Sequence, residues 1–287
     1  MALKYKLIAI DLDGTLLSPT GTVTARTRFA VHQCLAAGYL VCFATGRNFT
    51  ESRSVLDAVG HYDLAVFVGG AMVIDTRERV TLHRTLMNPE LARQLCRFFE
   101  SRGQVVLALQ DTGRAGVDYL ITQGIAPDPA TLQWLKVTAA TVHWEKNLQA
   151  NAHEHTIRIG IVADDKSAEA IKSELMETFG SRIVSHNILV PAYGVQVVEV
   201  FDPAVNKWEG ILHLARRHEI DPGEIIAIGD DVNDIPMVSR AGLGVAMGNA
   251  IPELRAVAKR VIGSNGDDGL AVFLEELVVT HAVMPQL

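Results

Sequence analysis

The sequence has few cysteines and no long hydrophobic run, and each shortage excludes a class of protein. Its 287 residues include three cysteines, Cys34, Cys42 and Cys96, without the paired spacing of metal ligands. We therefore expect buried thiols in a reducing cytoplasm. The longest nearly apolar stretch, residues 64–74, contains two glycines and is too short to cross a bilayer. We expect neither a secretory signal nor a transmembrane helix, and no membrane partner.

Basic charge is also scarce. Lysine and arginine number 26 against 33 aspartates and glutamates, which gives a formal net charge of −7. Nucleic-acid binders usually carry a net basic field, so we predict no nucleic-acid partner. Small anionic substrates remain compatible, because a few local cations or a metal ion would hold them. Hydrophobic residues make up 48% of the chain and charged residues 21%, which is typical of a folded protein with a sizeable core.

Strand-like and helix-like segments alternate at both ends of the chain. In the first third, the predicted strands are residues 6–10, 39–44 and 64–68, and the predicted helices are residues 22–37 and 48–59. In the last third, a buried strand at 225–228 lies among predicted helices at 207–218, 234–241, 251–258 and 270–279. This alternation predicts an α/β fold with a doubly wound parallel sheet, to which both ends contribute.

The middle of the chain has α+β character. Its predicted helices are residues 89–101 and 167–179, with strands near 104–109, 117–121, 156–162 and 195–200 and a loop-rich stretch around Pro127 and Pro129. We interpret this part as an inserted domain of residues 85–198. The core domain then consists of residues 1–84 and 199–287.

Two acidic turns carry the strongest chemical signal. D-L-D-G-T at residues 11–15 follows the first predicted strand, and in open α/β sheets ligands bind beyond the carboxyl ends of the strands. A solvated acidic turn is the alternative interpretation. G-D-D-V-N-D at residues 229–234 follows a second buried strand. Helix capping explains one of its acidic residues but not the group.

Two further segments are weak evidence for a phosphate site alone but support the two acidic turns. A-T-G-R at residues 44–47 offers a hydroxyl and backbone N–H groups at a helix start, which suit a phosphate oxygen. Thr45 fits a plain N-cap equally well. Lys207 follows Asn206 at the start of another helix, where a lone lysine would be a solvated surface charge.

The combination of the four turns predicts a cation site. If they meet at one edge of one sheet, four carboxylates lie close together, those of Asp11, Asp13, Asp230 and Asp234. Like charges at this distance cannot all ionise without a compensating cation. Lys207 supplies one positive charge, and a divalent ion would supply two more. All-oxygen ligands without histidine or cysteine favour Mg²⁺, and such a site is typical of phosphoryl transfer.

The four segments, in this order, resemble the motifs of the haloacid dehalogenase-like phosphohydrolases. The later segments A-M-G-N-A at 246–250 and D-G-L-A at 268–271 are similar to the Cof-like, type IIB capped branch of that superfamily. That branch carries a large α/β cap between its second and third motifs, where the middle domain falls here. It often has N-G-A after the third strand, where this chain has Gly69-Gly70-Ala71. No substrate contact is therefore carried over to Gly69.

The resemblance implies a role for each motif residue. Asp11 would be the nucleophile that forms an aspartyl-phosphate, and Asp13 the general acid and base. The phosphate-binding residues would be Leu12, Thr45, Gly46, Arg47, Lys207 and Asn233. Mg²⁺ would be held by Asp11, the backbone carbonyl of Asp13, and Asp230, while Asp234 would support that set or orient Lys207.

The function implied by the resemblance is that of a Mg²⁺-dependent phosphatase of small phosphorylated metabolites, with sugar phosphates as the expected substrates. A phosphosugar mutase of the same superfamily is the alternative within enzymes. A non-catalytic phospholigand sensor is the alternative outside them, but it predicts a broken catalytic set, and the motif residues are intact. Nucleotides and pyridoxal phosphate also fit as substrates, and the sequence does not indicate an oligomeric state.

Two further features predict no catalytic role of their own. His153-Glu154-His155 lacks a third ligand for a transition metal, so we interpret it as a polar loop of the inserted domain. Residues 191–194 are predicted to form a turn, from which Tyr193 would contact a substrate only if that loop dipped toward the site.

Overall fold

The computed structural model describes residues 3–190 and 195–283, and the chain divides into two compact units. The core unit combines Met1–His83 with Asn206–Leu287, and the inserted unit is Arg84–Val205. Within the described ranges, no helix combines the length and the apolar character needed to span a membrane.

The regular elements follow one another in the order that the sequence patterns predict, with several additions. The strands are β1 (Leu7–Ile10), β2 (Leu40–Phe43), β3 (Leu64–Phe67), β4 (Met72–Asp75), β5 (Val80–Arg84), β6 (Leu107–Gln110), β7 (Tyr119–Thr122), β8 (Val142–Glu145), β9 (Thr156–Ala163), β10 (Val184–Val190), β11 (Val195–Phe201), β12 (Ile225–Gly229), β13 (Leu243–Ala246) and β14 (Arg260–Val261). The helices are α1 (Ala25–Ala36), α2 (Phe49–Val59), α3 (Pro89–Glu100), α4 (Thr112–Ala115), α5 (Pro129–Val137), α6 (Asp165–Phe179), α7 (Lys207–Arg217), α8 (Ile235–Arg240), α9 (Pro252–Val257) and α10 (Gly269–Val283).

The core unit contains a five-stranded parallel sheet in the order β14-β13-β12-β1-β2. Strand β1 lies inside this sheet, and all four of its apolar residues are fully buried. Parallel strands buried on both faces are expected to be continuously apolar, as β1 and β12 are. The predicted α/β fold with a parallel sheet is confirmed.

Local signals at the ends of α1 and α2 explain where these helices begin and end. The Thr24 side chain accepts a hydrogen bond from the backbone N–H of Thr27 and so caps α1. Asn48 and Glu51 form a capping box at the start of α2, and Gly60 ends that helix in the left-handed conformation. Helix α2 therefore starts directly after the segment that contains Thr45.

The third predicted strand is displaced from the parallel sheet into a small separate sheet, in which β3 and β4 run antiparallel. Strands β3, β4 and β5 form a separate three-stranded sheet, and a single parallel bridge between Ala44 and Val66 connects β3 to the end of β2. The unbroken apolar run of residues 64–74 hides the turn at Val68–Gly70, where both glycines and Val68 have positive φ angles. The sequence pattern therefore missed β4 and β5.

The inserted unit contains a six-stranded sheet in the order β10-β11-β9-β6-β7-β8. Its pairs are antiparallel except β7 with β8, which run parallel. Helices α3 and α6 supply Phe99 and Leu175 to a buried cluster that includes Ile159 and Ile161 of β9. This cluster is the hydrophobic core of the unit.

Two features of the inserted unit differ from the sequence-based expectations. The unit continues to Val205, because β11 pairs with both β9 and β10 and extends past residue 198 to Phe201. The stretch around Pro127 and Pro129 was expected to be a loop, and that expectation is wrong for residues 129–137. Pro129 occupies the first turn of α5, where proline is favoured, and the Asp128 side chain caps the helix.

Candidate active site

The strand register brings three of the predicted motifs to one edge of the parallel sheet. Ile10, the last residue of β1, lies opposite Ile228 of β12 and Phe43 of β2. The residues that follow these strands are Asp11, Asp230, and Ala44 with Thr45. Because the strands are parallel, their carboxyl ends lie at the same edge, where open α/β sheets bind ligands.

Lys207 brings the fourth motif to this edge. Its Nζ atom donates hydrogen bonds to Oδ1 of Asp11 and to Oδ1 of Asp234, each at 2.6 Å. The lysine side chain is 1% exposed. Burial by itself lowers the pKa of Lys207, but the two carboxylates outweigh it and raise the pKa above its usual value. The lysine is therefore a fixed positive charge.

A close approach of the backbone places Lys207 at the site. Lys207 is the first residue of α7, and the Asn206 side chain caps that helix by accepting from the N–H of Glu209. Gly70, with a φ angle of +109°, lies against this helix start, and a Cβ atom there would be 1.9 Å from the carbonyl oxygen of Asn206. The Gly69-Gly70-Ala71 turn must therefore have glycine at its second position for α7 to begin here.

Asp230 is held beside the turn that follows Asp11. Thr15 donates from Oγ1 to Oδ1 of Asp230 at 3.1 Å. Asn249 donates from Nδ2 to the carbonyl oxygen of Gly14 at 2.9 Å and to Oδ2 of Asp230 at 3.3 Å. Gly14 has a φ angle of +80°, and a Cβ atom there would be 2.0 Å from Asp230 Oδ2. The glycine of the first motif thus makes room for the acid of the last.

The three carboxylates form a candidate metal site. Each of Asp11, Asp230 and Asp234 offers an oxygen within 4.8 Å of the others, and they are the one such metal-ligand group in the described part of the chain. Burial raises the pKa of Asp11 well above its usual value; Lys207 opposes that rise and the neighbouring carboxylates reinforce it. Burial and the charge of Asp234 raise the pKa of Asp230 to about 7. One lysine therefore leaves excess negative charge, which fits a divalent cation with oxygen ligands.

Asp234 is occupied by hydrogen bonds on both carboxylate oxygens. Oδ1 accepts from Lys207, and Oδ2 accepts from the backbone N–H groups of Asp230 and Asp231 at 3.0 and 3.1 Å. Its side chain is fully buried. Asp234 therefore orients Lys207 and fixes the turn after β12, which makes it a positioning residue in this structure.

The Asp13 side chain lies apart from the carboxylate cluster. Its two oxygens accept hydrogen bonds from Nε and Nη2 of Arg47 at 2.8 and 2.5 Å, and 57% of the side chain is exposed. Arg47 is therefore engaged with the predicted general acid and base, in a bidentate pair of well-defined geometry. The carboxylate of Asp13 lies outside the candidate metal group, so only its backbone carbonyl corresponds to the ligand that the resemblance implies.

The remaining predicted phosphate-binding residues lie in the turns around this cluster. Thr45 is buried, and its Oγ1 accepts from the N–H of Arg47 at 3.1 Å, across the intervening Gly46. Leu12 begins a wide turn in which the N–H of Leu17 donates to the Leu12 carbonyl at 2.9 Å. Asn233 is half-buried in the turn that ends at Asp234.

The sequence analysis assigned no role to two polar residues of this site, Thr15 and Asn249. Thr15 and Asn249 both hold Asp230, and Asn249 Oδ1 also accepts from the N–H of Asn265 at 2.9 Å. Asn249 lies in A-M-G-N-A, which begins at Ala246, the last residue of β13. Because β13 runs parallel to β12, it ends at the same sheet edge. A polar residue shortly after that strand could therefore have been predicted to lie near the site.

The two features without a predicted catalytic role have different outcomes. His153 is in a loop, but its ring is buried in the inserted unit, so the expectation of a polar loop is wrong for this residue. Its ring nitrogens contact the hydroxyl of Thr156 at 2.9 Å and the carbonyl oxygen of Leu148 at 3.0 Å. Burial lowers the pKa of His153, which favours a neutral core histidine. Tyr193 and its predicted turn lie outside the described residues.

Comparison with known proteins decides the family. The haloacid dehalogenase-like hydrolase family matches residues 8–274 of the chain. The chain belongs to this family. The family and the enzyme class that the motifs predict, a phosphoric monoester hydrolase, are therefore confirmed.

Relatives of this hydrolase match it over most of its length. It is similar to a 5-amino-6-(5-phospho-D-ribitylamino)uracil phosphatase of Bacillus subtilis, with 28% identity over 96% of this chain and 98% of the relative. An HMP-PP phosphatase of Cronobacter sakazakii is 28% identical over 88% and 87% of the two chains. A solved sugar phosphatase of subclass IIB shares the fold, with a TM-score of 0.76 and 21% identity over 94% of this chain and 98% of that one.

Proposed function

We propose that this hydrolase is a Mg²⁺-dependent phosphatase of small phosphorylated metabolites that works through an aspartyl-phosphate on Asp11. The observation that carries this proposal is the excess of carboxylate over lysine at the sheet edge. Asp11, Asp230 and Asp234 have oxygens within 4.8 Å of one another, and Lys207 provides a single positive charge. A buried site with this imbalance suits a divalent cation and a phosphate ester.

Asp11 is the proposed nucleophile because its position and partners leave it ready to attack. Lys207 holds Oδ1 of Asp11 at 2.6 Å, which fixes the carboxylate and leaves Oδ2 to form a bond to phosphorus. As that bond forms, the bond between phosphorus and the ester oxygen breaks. The Lys207 ammonium and the Thr45 hydroxyl are proposed to bind the phosphoryl oxygens during this transfer.

Asp13 is the proposed proton carrier for both halves of the reaction. In the first half, its protonated carboxyl gives a proton to the leaving ester oxygen. In the second half, the carboxylate takes a proton from the water that attacks the aspartyl-phosphate, which releases phosphate and restores Asp11. The bidentate pair with Arg47 supports a positioning role for Arg47, because it fixes the orientation of the Asp13 carboxylate.

The cation is proposed to be Mg²⁺, held by Asp11, Asp230 and the backbone carbonyl of Asp13. When bound, it supplies positive charge that neutralises the phosphoryl oxygens and the neighbouring carboxylates. Thr15 and Asn249 orient Asp230 through its two oxygens, as outer partners of metal ligands generally do.

Sugar phosphates are the proposed substrates, and the inserted unit is the proposed specificity domain. The curated relatives act on phosphorylated small molecules, to judge by their names, and a neighbour with the same fold is a sugar phosphatase. We also propose a cytoplasmic location, which the three free and buried cysteines support.

The decisive experiment measures phosphate release from a panel of sugar phosphates, nucleotides and pyridoxal phosphate, with Mg²⁺ and with a chelator. We expect release that requires the metal, and a preferred ester that identifies the substrate class. An isomerised sugar phosphate without phosphate release would instead identify a mutase. No turnover of any ester by the folded, metal-loaded protein would contradict the proposal.

Replacing the nucleophile tests the proposed mechanism. Asp11→Asn should lower turnover by about 10⁴-fold or more, because the amide cannot form the covalent intermediate. Glu177→Gln is the control, since it replaces an exposed carboxylate of helix α6 by an amide, outside the four motifs, and should leave turnover unchanged. An Asp11→Asn variant with near-normal activity would show that Asp11 is not the nucleophile.

A further inference from the structure

A second polar site lies in the core unit, on the outer face of α2. A pocket of about 280 Å³ is lined by Phe49, Arg53 and Leu56 of that helix, by Tyr62, and by Arg77 and Arg79 from the turn between β4 and β5. None of its lining residues belongs to the cluster around Asp11. The pocket therefore has no part in the reaction proposed above.

The pocket concentrates positive charge in a chain whose formal net charge is −7. Among the described residues, Arg53, Arg77 and Arg79 have no carboxylate partner. One acid, Asp57, also lines the pocket, and it accepts a hydrogen bond from the Tyr62 hydroxyl at 2.5 Å. The lining side chains thus include three guanidinium groups and one carboxylate, while Asp75 and Glu78 of the same turn are not among the lining residues.

The arginines are close to one another around Tyr62. Arg77 donates from Nη2 to the carbonyl oxygen of Tyr62 at 3.2 Å. The hydrogen bond to Asp57 raises the pKa of Tyr62, and the positive charges of Arg53 and Arg79 oppose that rise. Arg53, Arg77 and Arg79 all line the same pocket. The three cations therefore face a common space.

The turn between β4 and β5 holds two of these arginines in a fixed conformation. Asp75 Oδ1 accepts from the backbone N–H groups of Arg77 and Glu78, both at 3.0 Å. Arg79 has a φ angle of +58°, a left-handed conformation that is unfavourable for a residue with a long side chain. The Arg79 side chain is therefore held beside the pocket by a turn that carries some backbone strain.

One wall of the pocket is apolar. Leu56 is 1% exposed, and the Phe49 ring packs edge to face against Phe67 with 5.7 Å between centroids. Guanidinium groups bind phosphate in a planar, bidentate manner and also stack on flat rings. A cationic rim beside an aromatic wall is therefore complementary to a molecule with a phosphate at one end and an unsaturated ring at the other.

We propose that this pocket binds a small organic phosphate with a flat ring, at a site separate from the catalytic one. The probes are ADP, which has both parts, and inorganic pyrophosphate, which has no ring. Binding is followed by the amide NMR signals of the full chain with the Asp11→Asn substitution, which prevents turnover of the probe. We expect saturable shifts at Arg53, Tyr62 and Arg79 with ADP, and weaker binding of pyrophosphate.

A double variant tests the charge requirement. Arg53→Ala with Arg79→Ala should weaken ADP binding at the pocket signals by tenfold or more. Arg28→Ala is the control, since it removes another exposed arginine from the core unit and should leave the affinity unchanged. ADP shifts confined to the neighbourhood of Lys207, or an equal affinity of the double variant and the control, would overturn the proposal. Equal affinities for ADP and pyrophosphate would overturn the assignment of a ring-bearing ligand.

Discussion

The core unit and the inserted unit bury charge in different ways. In the core unit, the ammonium of Lys207 lies between Asp11 and Asp234, with Asp230 beside them, so carboxylates exceed cations. In the inserted unit, the guanidinium of Arg158 on β9 forms a buried ion pair with the carboxylate of Glu199 on β11. The core cluster therefore has more carboxylates than cations, whereas the Arg158–Glu199 ion pair joins one of each. We infer that the excess of carboxylates around Asp11 marks the site of chemistry.

The inserted pair is held as part of the sheet. Glu199 lies opposite Gly160 in the register of β9 and β11, and both charged side chains are at most 6% exposed. Arg158 also donates from Nη2 to the Tyr119 hydroxyl at 3.1 Å. Such a pair adds little net stability when intact, but removing one partner leaves a charge in a dry environment.

The largest expected effect on stability comes from breaking the ion pair between Arg158 and Glu199. Glu199→Gln should lower the free energy of unfolding by about 3–5 kcal/mol, because Arg158 keeps its charge in a buried position after it loses the carboxylate of Glu199. Urea unfolding monitored by circular dichroism gives the value. Glu174→Gln is the control, since it breaks an exposed ion pair with Arg102 in the same unit. A loss as small as that of the control would show that the Arg158–Glu199 pair is effectively solvated.

The excess of carboxylates in the core unit should make the stability of the metal-free protein depend on pH. Burial raises the pKa of Asp230 to about 7, well above its unfolded value of about 3.9. A group whose pKa is raised in the folded state contributes stability below its unfolded pKa, and that stability is lost as the pH rises through its folded pKa. The metal-free protein should therefore lose this contribution between about pH 4 and pH 7.

Asp230→Asn isolates that contribution. The variant should be the more stable of the two metal-free proteins at pH 8, by about 2 kcal/mol after allowance for partial exposure, and the advantage should vanish near pH 4. Mg²⁺ should stabilise the wild type at pH 8 much more than it stabilises the variant. If the difference between the two proteins did not change with pH, the excess of negative charge would be compensated by something other than a metal ion.

The sequence predicts the core better than the inserted unit for a physical reason. Parallel strands share one sheet edge, so residues that follow β1, β2 and β12 must lie together, and Asp11, Thr45 and Asp230 could be predicted from their place in the chain. No comparable rule pairs the side chains of an antiparallel insertion. Arg158 and Glu199 gave no signal, because their contact depends on the register of β9 and β11.

Turn conformation limited the prediction even within the core. The spacing of Asp11 and Asp13 suggested that both carboxylates join one cluster. The turn around Gly14 instead directs Asp13 toward Arg47, at 57% exposure of its side chain. The roles of Asn249 and Thr15 also depend on this turn, since they bridge it to Asp230. Sequence motifs therefore identify the members of a site but not which of them touch.

Asn249 offers a smaller perturbation of the same imbalance. Asn249→Ala removes the bonds to Gly14 and Asp230, which leaves the charges unchanged but loosens the orientation of Asp230. We expect the Mg²⁺ concentration for half-maximal activity to rise by about tenfold or more, with a modest change in turnover at saturating metal. An unchanged metal requirement combined with lower stability would identify Asn249 as purely structural. Asn233→Ala provides a comparison, since no hydrogen bond in the described residues joins its side chain to Asp230.

The smallest expected effect comes from two stacked histidines of the core unit, whose rings would repel each other if both became protonated. The rings of His83 and His213 stack with 4.1 Å between centroids. Burial lowers the pKa of both residues, and for His213 the charges of His83, Arg216 and Arg217 lower it further. Because these pKa values are depressed in the folded state, the stabilising contribution is complete above the unfolded value of about 6.5 and is lost as the pH falls.

His213→Asn should therefore reduce the loss of stability between pH 7.5 and pH 5.5. The difference should be about 0.5 kcal/mol, because both rings are partly exposed and solvent screens their repulsion. Urea unfolding at the two pH values measures it, with His143→Asn as the control at an exposed histidine of the inserted unit. A pH response identical to that of the control would show that the stacked rings separate when they are protonated. In that case the acid limb of the stability profile would arise from the carboxylates alone.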